Sequence, residues 1–116
     1  MDFEAFVEGY RKAWLSNDPA DIKALFTNDA AFYDSPYVEP ENGPDAIAKH
    51  WLEHADQPGD TEFEYELLAT DGDLGFVRGR TRYTTDPPHE YHNLWVIRLD
   101  SGGRCREFTE WWMRTP

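Results

Sequence analysis

Hydrophobic residues recur every three or four positions in the first half of the chain and every second position in the second half. Phe3, Phe6, Val7, Tyr10 and Trp14 form one face of a helix, and Asp2 stands where its N-cap belongs. Asn17-Asp18-Pro19 ends that helix and predicts another, with Asp18 as N-cap and Pro19 at the first helical position. Ile22, Leu25 and Phe26 are its apolar side. Asn28-Asp29 predicts a turn and Ala30 to Tyr37 a strand, with Pro36, Pro40 and Gly43 in the loop that follows. Pro44 opens a third helix with Ile47, Trp51 and Ala55 on one face.

From Thr61 to Ala69 the alternation is strict. Phe63, Tyr65 and Leu67 share one face of a strand, and Glu62, Glu64 and Glu66 share the other. Asp71-Gly72-Asp73 predicts a three-residue hairpin turn. The next strand, Phe76 to Thr85, alternates Arg78, Arg80 and Arg82 with Val77, Gly79, Thr81 and Tyr83. That turn sets Glu66 opposite Arg78, Glu64 opposite Arg80 and Glu62 opposite Arg82. Exposed cross-strand pairs contribute about 0.2–1 kcal/mol each, so this ladder reads as a solvated or dimer-facing surface. Val77, Thr81 and Tyr83 then face the interior. Asp86-Pro87-Pro88 breaks the strand. Strands Tyr91 to Leu99 and Arg104 to Met113, joined at Ser101-Gly102-Gly103, complete an antiparallel meander. Helices first and strands last predict an α+β fold, with helices on one face of a curved sheet and a small-molecule pocket between.

Composition narrows this picture. A chain of 116 residues suits one domain, residues 1–116, and an aromatic content of 16% excludes a disordered one. Eleven Lys and Arg against 23 Asp and Glu leave a net charge of −12. That field repels phosphates, so neither nucleic acid nor an anionic membrane is expected as a partner. Cys105 is the single cysteine, which rules out an internal disulfide and a cysteine-rich zinc site. It has no recognisable base beside it, so it reads as a strand residue. No apolar run approaches the length of about 18 residues that a membrane helix needs. Met1-Asp2-Phe3-Glu4 lacks a signal-peptide pattern, and a cytoplasmic setting is expected.

Several fragments carry a family resemblance. Tyr10-x-x-x-Trp14, Leu25-Phe26-x-x-Asp29-Ala30, Asp34-x-Pro36, Gly43-x-x-x-Ile47 and the strand opening at Gly103-Arg104 resemble the nuclear transport factor 2-like superfamily. Within it, the chain is similar to SnoaL-like and ketosteroid-isomerase-like proteins over nearly its whole length. The resemblance implies one SnoaL-like domain of cystatin-like fold. That is a cone-shaped barrel of three N-terminal helices packed on a curved, mainly antiparallel sheet, with a mostly apolar pocket and a homodimeric state. It implies that Asp34 is the proton-moving carboxylate and Tyr10 the donor to a developing oxyanion. Where the resembled isomerases keep a protonated aspartic acid, this chain has Trp95, whose indole N–H donates one hydrogen bond. His50 and Trp51 match helix positions that touch the pocket in those isomerases.

Strand parity adds the remaining candidates. If Trp95 points inward, so do Tyr91 and Asn93, and Phe108, Glu110 and Trp112 line the opposite wall. Trp14 joins them from the first helix. Of the 23 acids, Asp34 and Glu110 are the two placed inside. Two carboxylates among aromatics are expected to bind a proton readily or to hold a cation. The family register implies that Arg78 and Arg80 also point inward, but burying unpaired arginines costs far more than the surface ladder. His50-Trp51-Leu52-Glu53-His54 has the H-x-x-E-H spacing of one class of zinc peptidases. Nothing else in the chain supports such an enzyme, so no metal and no cofactor is expected.

Two functions fit these residues. One is an enzyme that moves a proton next to a carbonyl of a small, largely apolar molecule, as an isomerase, cyclase or dehydratase does. The other is a non-catalytic ligand-binding or dimeric interaction module on the same fold.

Overall fold

A computed structural model describes residues 1–57 and 59–116. Among these the chain forms α1 (Phe3–Ser16), α2 (Pro19–Lys23), β1 (Phe26–Tyr33), β2 (Glu41–Asn42), α3 (Pro44–Glu53), β3 (Thr61–Asp71), β4 (Leu74–Tyr83), β5 (His89–Leu99) and β6 (Cys105–Arg114). The strands make one six-stranded sheet in the order β2-β1-β6-β5-β4-β3. Only the β1–β6 pair is parallel. The fold is α+β, three helices on a curved, mostly antiparallel sheet. No helix among the described residues is long and apolar enough to cross a membrane.

Local chemistry explains the helix starts. The Asp2 carboxylate accepts from the Ala5 N–H, and Asp18 accepts from the Ala20 N–H with Pro19 in the first turn. Asn17 ends α1 in the left-handed conformation, φ 52°, and its N–H reaches back to the Ala13 carbonyl. The α1 face predicted from periodicity is buried: Phe3, Phe6 and Val7 pack against Phe26, Ile97 and Leu99 of the sheet core.

Three features differ from expectation. The first strand begins at Phe26, not Ala30, and ends at Tyr33, so Asn28 and Asp29 lie within it. The reason is an irregularity against β6: Phe26 pairs with Cys105, yet Ala31 pairs with Glu107. The turn-forming residues occupy the chain that this mismatch loops out. Second, the β3–β4 turn is one residue shorter than predicted, because Asp71 pairs with Leu74 and Gly72 takes φ 60°. A bulge between Leu67 and Ala69 absorbs the difference, and the Glu–Arg register beyond it is the predicted one. Third, β2 carries no alternation and pairs through only two residues, Phe32–Glu41 and Ala31–Asn42.

The charged ladder is outside. Arg80 and Arg82 meet Glu64 and Glu62 at 3.2 Å each, and Arg78 pairs with Glu66. All six side chains are exposed by more than 40%. On the inner side of β4, Gly75 and Gly79 leave room for aromatic rings. A Cβ on Gly79 would come 2.6 Å from Phe63, and one on Gly75 would come 2.5 Å from Phe3. At Gly75 the sheet therefore closes onto α1 through the Phe3 ring, and at Gly79 it makes room for Phe63 of its own strand β3.

Candidate active site

Strands β5 and β6 set Trp95 opposite Glu110 and Asn93 opposite Trp112, all on the inner face. The parity reading of these two strands therefore matches the register. Glu110 Oε2 accepts from Trp95 Nε1 at 2.7 Å and from Asn93 Nδ2 at 2.9 Å. Asn93 is turned for this by Thr81, whose hydroxyl donates to Asn93 Oδ1 at 2.9 Å. Glu110 Oε1 has no hydrogen-bond partner among the described residues and is not sealed off, so it opens into the cavity. Burial pushes the Glu110 carboxyl up to about 7, and the Asp34 charge adds to that. The hydrogen bonds from Trp95 and Asn93 pull the other way and are outweighed.

The cavity holds about 400 Å³ and is lined by Tyr10, Trp14, Asp34, Asn93, Trp95, Glu110 and Trp112 together with Thr81, Tyr83, His89 and Tyr91. That size suits a small organic molecule. Tyr10 is part of its wall, with ring centroids 4.5 Å from Trp95, 4.6 Å from Trp51 and 5.4 Å from Phe108. The Tyr10 hydroxyl makes no hydrogen bond among the described residues. Burial holds its pKa well above the ordinary 10, with Glu110 and Asp34 adding to the shift. It is therefore a proton-bearing donor at neutral pH.

A second cavity of about 230 Å³ adjoins the first, sharing Tyr10, Trp14, Asp34 and Tyr83 as walls. His50 and Trp51 line this one and not the chamber of Glu110. His50 Nε2 lies 3.3 Å from Asp34 and its Nδ1 lies 3.5 Å from Glu41. The His50 and His54 rings lie 4.6 Å apart, tilted by 40°, and no cluster of three metal-ligating side chains forms among the described residues.

Two placements differ from the sequence reading. Asp34 is not enclosed: its side chain is 51% exposed at the rim, because it follows the last residue of β1 where the chain leaves the sheet. Phe108 lines neither cavity: it is fully buried behind the wall, stacked on Phe32 at 4.9 Å. Trp112 does reach the cavity while 46% exposed, tied by its Nε1 to Ser35 Oγ at 3.1 Å. Asp56 was missed entirely. Its Oδ2 accepts from Trp14 Nε1 at 2.9 Å and from the Tyr83 hydroxyl at 3.3 Å. It follows α3 in a stretch without periodicity, so only the folded chain reveals it.

Residues 7–108 match the SnoaL-like domain. The chain belongs to the SnoaL-like family. No curated protein matches the sequence of this SnoaL-like domain. Solved structures share its fold, that of the nuclear transport factor 2-like superfamily. A ketosteroid isomerase-like protein from Erwinia carotovora atroseptica is 23% identical with a TM-score of 0.69, covering 97% of this chain and 94% of that one. The epoxide hydrolase/cyclase-like enzyme SalBIII, of pyran ring formation in the polyether salinomycin, is 18% identical with a TM-score of 0.74, covering 95% and 89%. An LEH-like epoxide hydrolase of M. tuberculosis is 17% identical with a TM-score of 0.68, covering 94% and 80%.

Proposed function

We propose that this SnoaL-like domain is an enzyme that moves a proton at the carbon next to a carbonyl of a small, largely apolar molecule. The observation that carries the reading is the Glu110 carboxyl, with one oxygen held by two donors and the other free in an aromatic cavity. A base with a pKa near 7 is poised to take a proton and give it back at neutral pH. As Glu110 Oε1 removes the proton, electron density moves onto the carbonyl oxygen, and the Tyr10 hydroxyl donates to it. Glu110 then returns the proton to the same carbon or to its conjugated neighbour. Isomerisation and epoxide opening, the chemistries named for the similar structures, likewise need a proton placed at a defined atom.

Asp34 is the second candidate base, because it lines both cavities and pairs with His50. Exchange of α-protons for deuterium, followed by NMR over a panel of cyclic and aryl ketones in D2O, separates the two. Catalysed exchange that Glu110→Gln abolishes and Asp34→Asn retains is the expected result. The reverse pattern moves the base to Asp34. Ligands that raise the melting temperature while no ketone exchanges would make the chain a binding module instead.

The outer face of β5 and β6 carries Leu94, Trp111 and Met113, which are 36%, 43% and 71% exposed. We propose that this face pairs with a second copy, giving a homodimer. Sedimentation should show a dimer that Trp111→Arg converts to a monomer.

A further inference from the structure

Charge is distributed unevenly around the two adjoining cavities. Asp34, Asp56 and Glu110 line them, and no Lys or Arg does among the described residues. The rings that wall the smaller chamber are Tyr10, Trp14, Phe32, Trp51 and Tyr83, joined by His50 and His54. Two of these rings spend their polar ends on Asp56: the Trp14 indole N–H and the Tyr83 hydroxyl both donate to Oδ2. Asp56 Oδ1 receives no side-chain donor among the described residues. In the larger chamber Glu110 Oε1 is unpartnered too among the described residues.

Each class of ligand meets this lining differently. An anion would face carboxylates with no arginine or lysine to receive it. A purely apolar molecule would remove water from Asp56 and Asp34 and give nothing in return. A cation with an apolar surface would answer both, since aromatic faces and carboxylates each attract it. The net charge of −12 would also draw cations toward the chain.

We infer that the joined cavities take an organic ammonium ion, with its charged nitrogen in the smaller chamber between Asp56, Asp34 and the Trp14, Trp51 and Tyr83 rings. This deepens the proton-transfer reading by naming its substrate class: a carbonyl compound whose cationic end is anchored by Asp56 while its carbonyl end reaches Tyr10 and Glu110. The two chambers then divide the labour, one holding charge and one performing chemistry.

The test uses choline and its uncharged carbon isostere 3,3-dimethylbutan-1-ol, titrated calorimetrically into the intact chain. Choline should bind at least about 10-fold more tightly than the alcohol, the scale of a desolvated cation–aromatic contact assisted by a carboxylate. Asp56→Asn, which keeps an acceptor for Trp14 and Tyr83, should cut that preference to below about 3-fold without changing the alcohol's affinity. Glu110→Gln should retain most of the preference while losing proton exchange, so the failure of either reading is visible apart from the other. Equal affinity of the wild-type chain for both probes overturns the inference. So does a preference that a folded Asp56→Asn variant keeps in full. If Asp56→Asn does not fold, the wild-type comparison alone decides.

Discussion

Glu64 and Glu110 are the same residue on the two sides of one sheet, and the fold treats them oppositely. Glu64 is 69% exposed and meets Arg80 at 3.2 Å on the outer face of the β3–β4 hairpin. Water screens that pair, so it contributes little, and its purpose is register and solubility. Glu110 faces inward with no cation beside it, held only by the Trp95 and Asn93 donors. Neutral donors stabilise a charge less than burial penalises it here, and the carboxyl is lifted to about 7. The ladder acids each have a cationic partner, whereas Glu110 has none among the described residues and keeps one carboxyl oxygen free. The absence of an ion pair, not its presence, is what distinguishes the acid proposed as the base.

The largest effect should come from Glu110→Gln, which keeps an acceptor for Trp95 and Asn93 and removes the base. Exchange of a ketone substrate's α-proton should fall about 10³-fold, and retention within about threefold would remove Glu110 from the mechanism. Tyr10→Phe should slow the same exchange by about 10²-fold, measured at saturating substrate to separate turnover from binding.

A pH effect on stability follows next. The folded protein holds the Glu110 proton more tightly than the unfolded chain does, whose carboxyl stays near 4.5. The protonated acid therefore costs nothing below pH 4.5, and the penalty grows between pH 4.5 and about 7 and is complete above that. Its full size is about 3 kcal/mol. Urea unfolding at intervals from pH 5 to 8 should show the wild type losing stability relative to Glu110→Gln as pH rises. A constant difference between the two would contradict the burial argument. The smallest effect belongs to the ladder: Glu64→Ala should cost at most about 1 kcal/mol in the same unfolding assay, and less in high salt.

The ladder was legible in the sequence because strict alternation fixes which face each residue takes, and a bulge beyond it does not disturb that parity. The same reasoning placed Trp95, Asn93, Glu110 and Trp112 inward, since β5 and β6 are regular over those positions. It failed where regularity failed. Asn28 and Asp29 read as a turn because their side chains favour one, and in the fold they lie in the irregular stretch of β1 between its two pairings with β6. Asp34 read as enclosed from resemblance alone, and position along a chain carries no information about depth at a rim. Asp56 was invisible as well: what holds it at the cavity wall is that Trp14 and Tyr83 arrive from α1 and β4 to donate to it.

The empty side chain at Gly79 reaches the acid indirectly. Phe63 occupies the space a Cβ would take there, its ring is stacked on Trp95 at 5.1 Å, and Trp95 donates to Glu110 at 2.7 Å. A methyl group at position 79 would displace the first member of that series and shift the last, so a backbone position outside the cavity helps set where the Glu110 carboxyl sits within it.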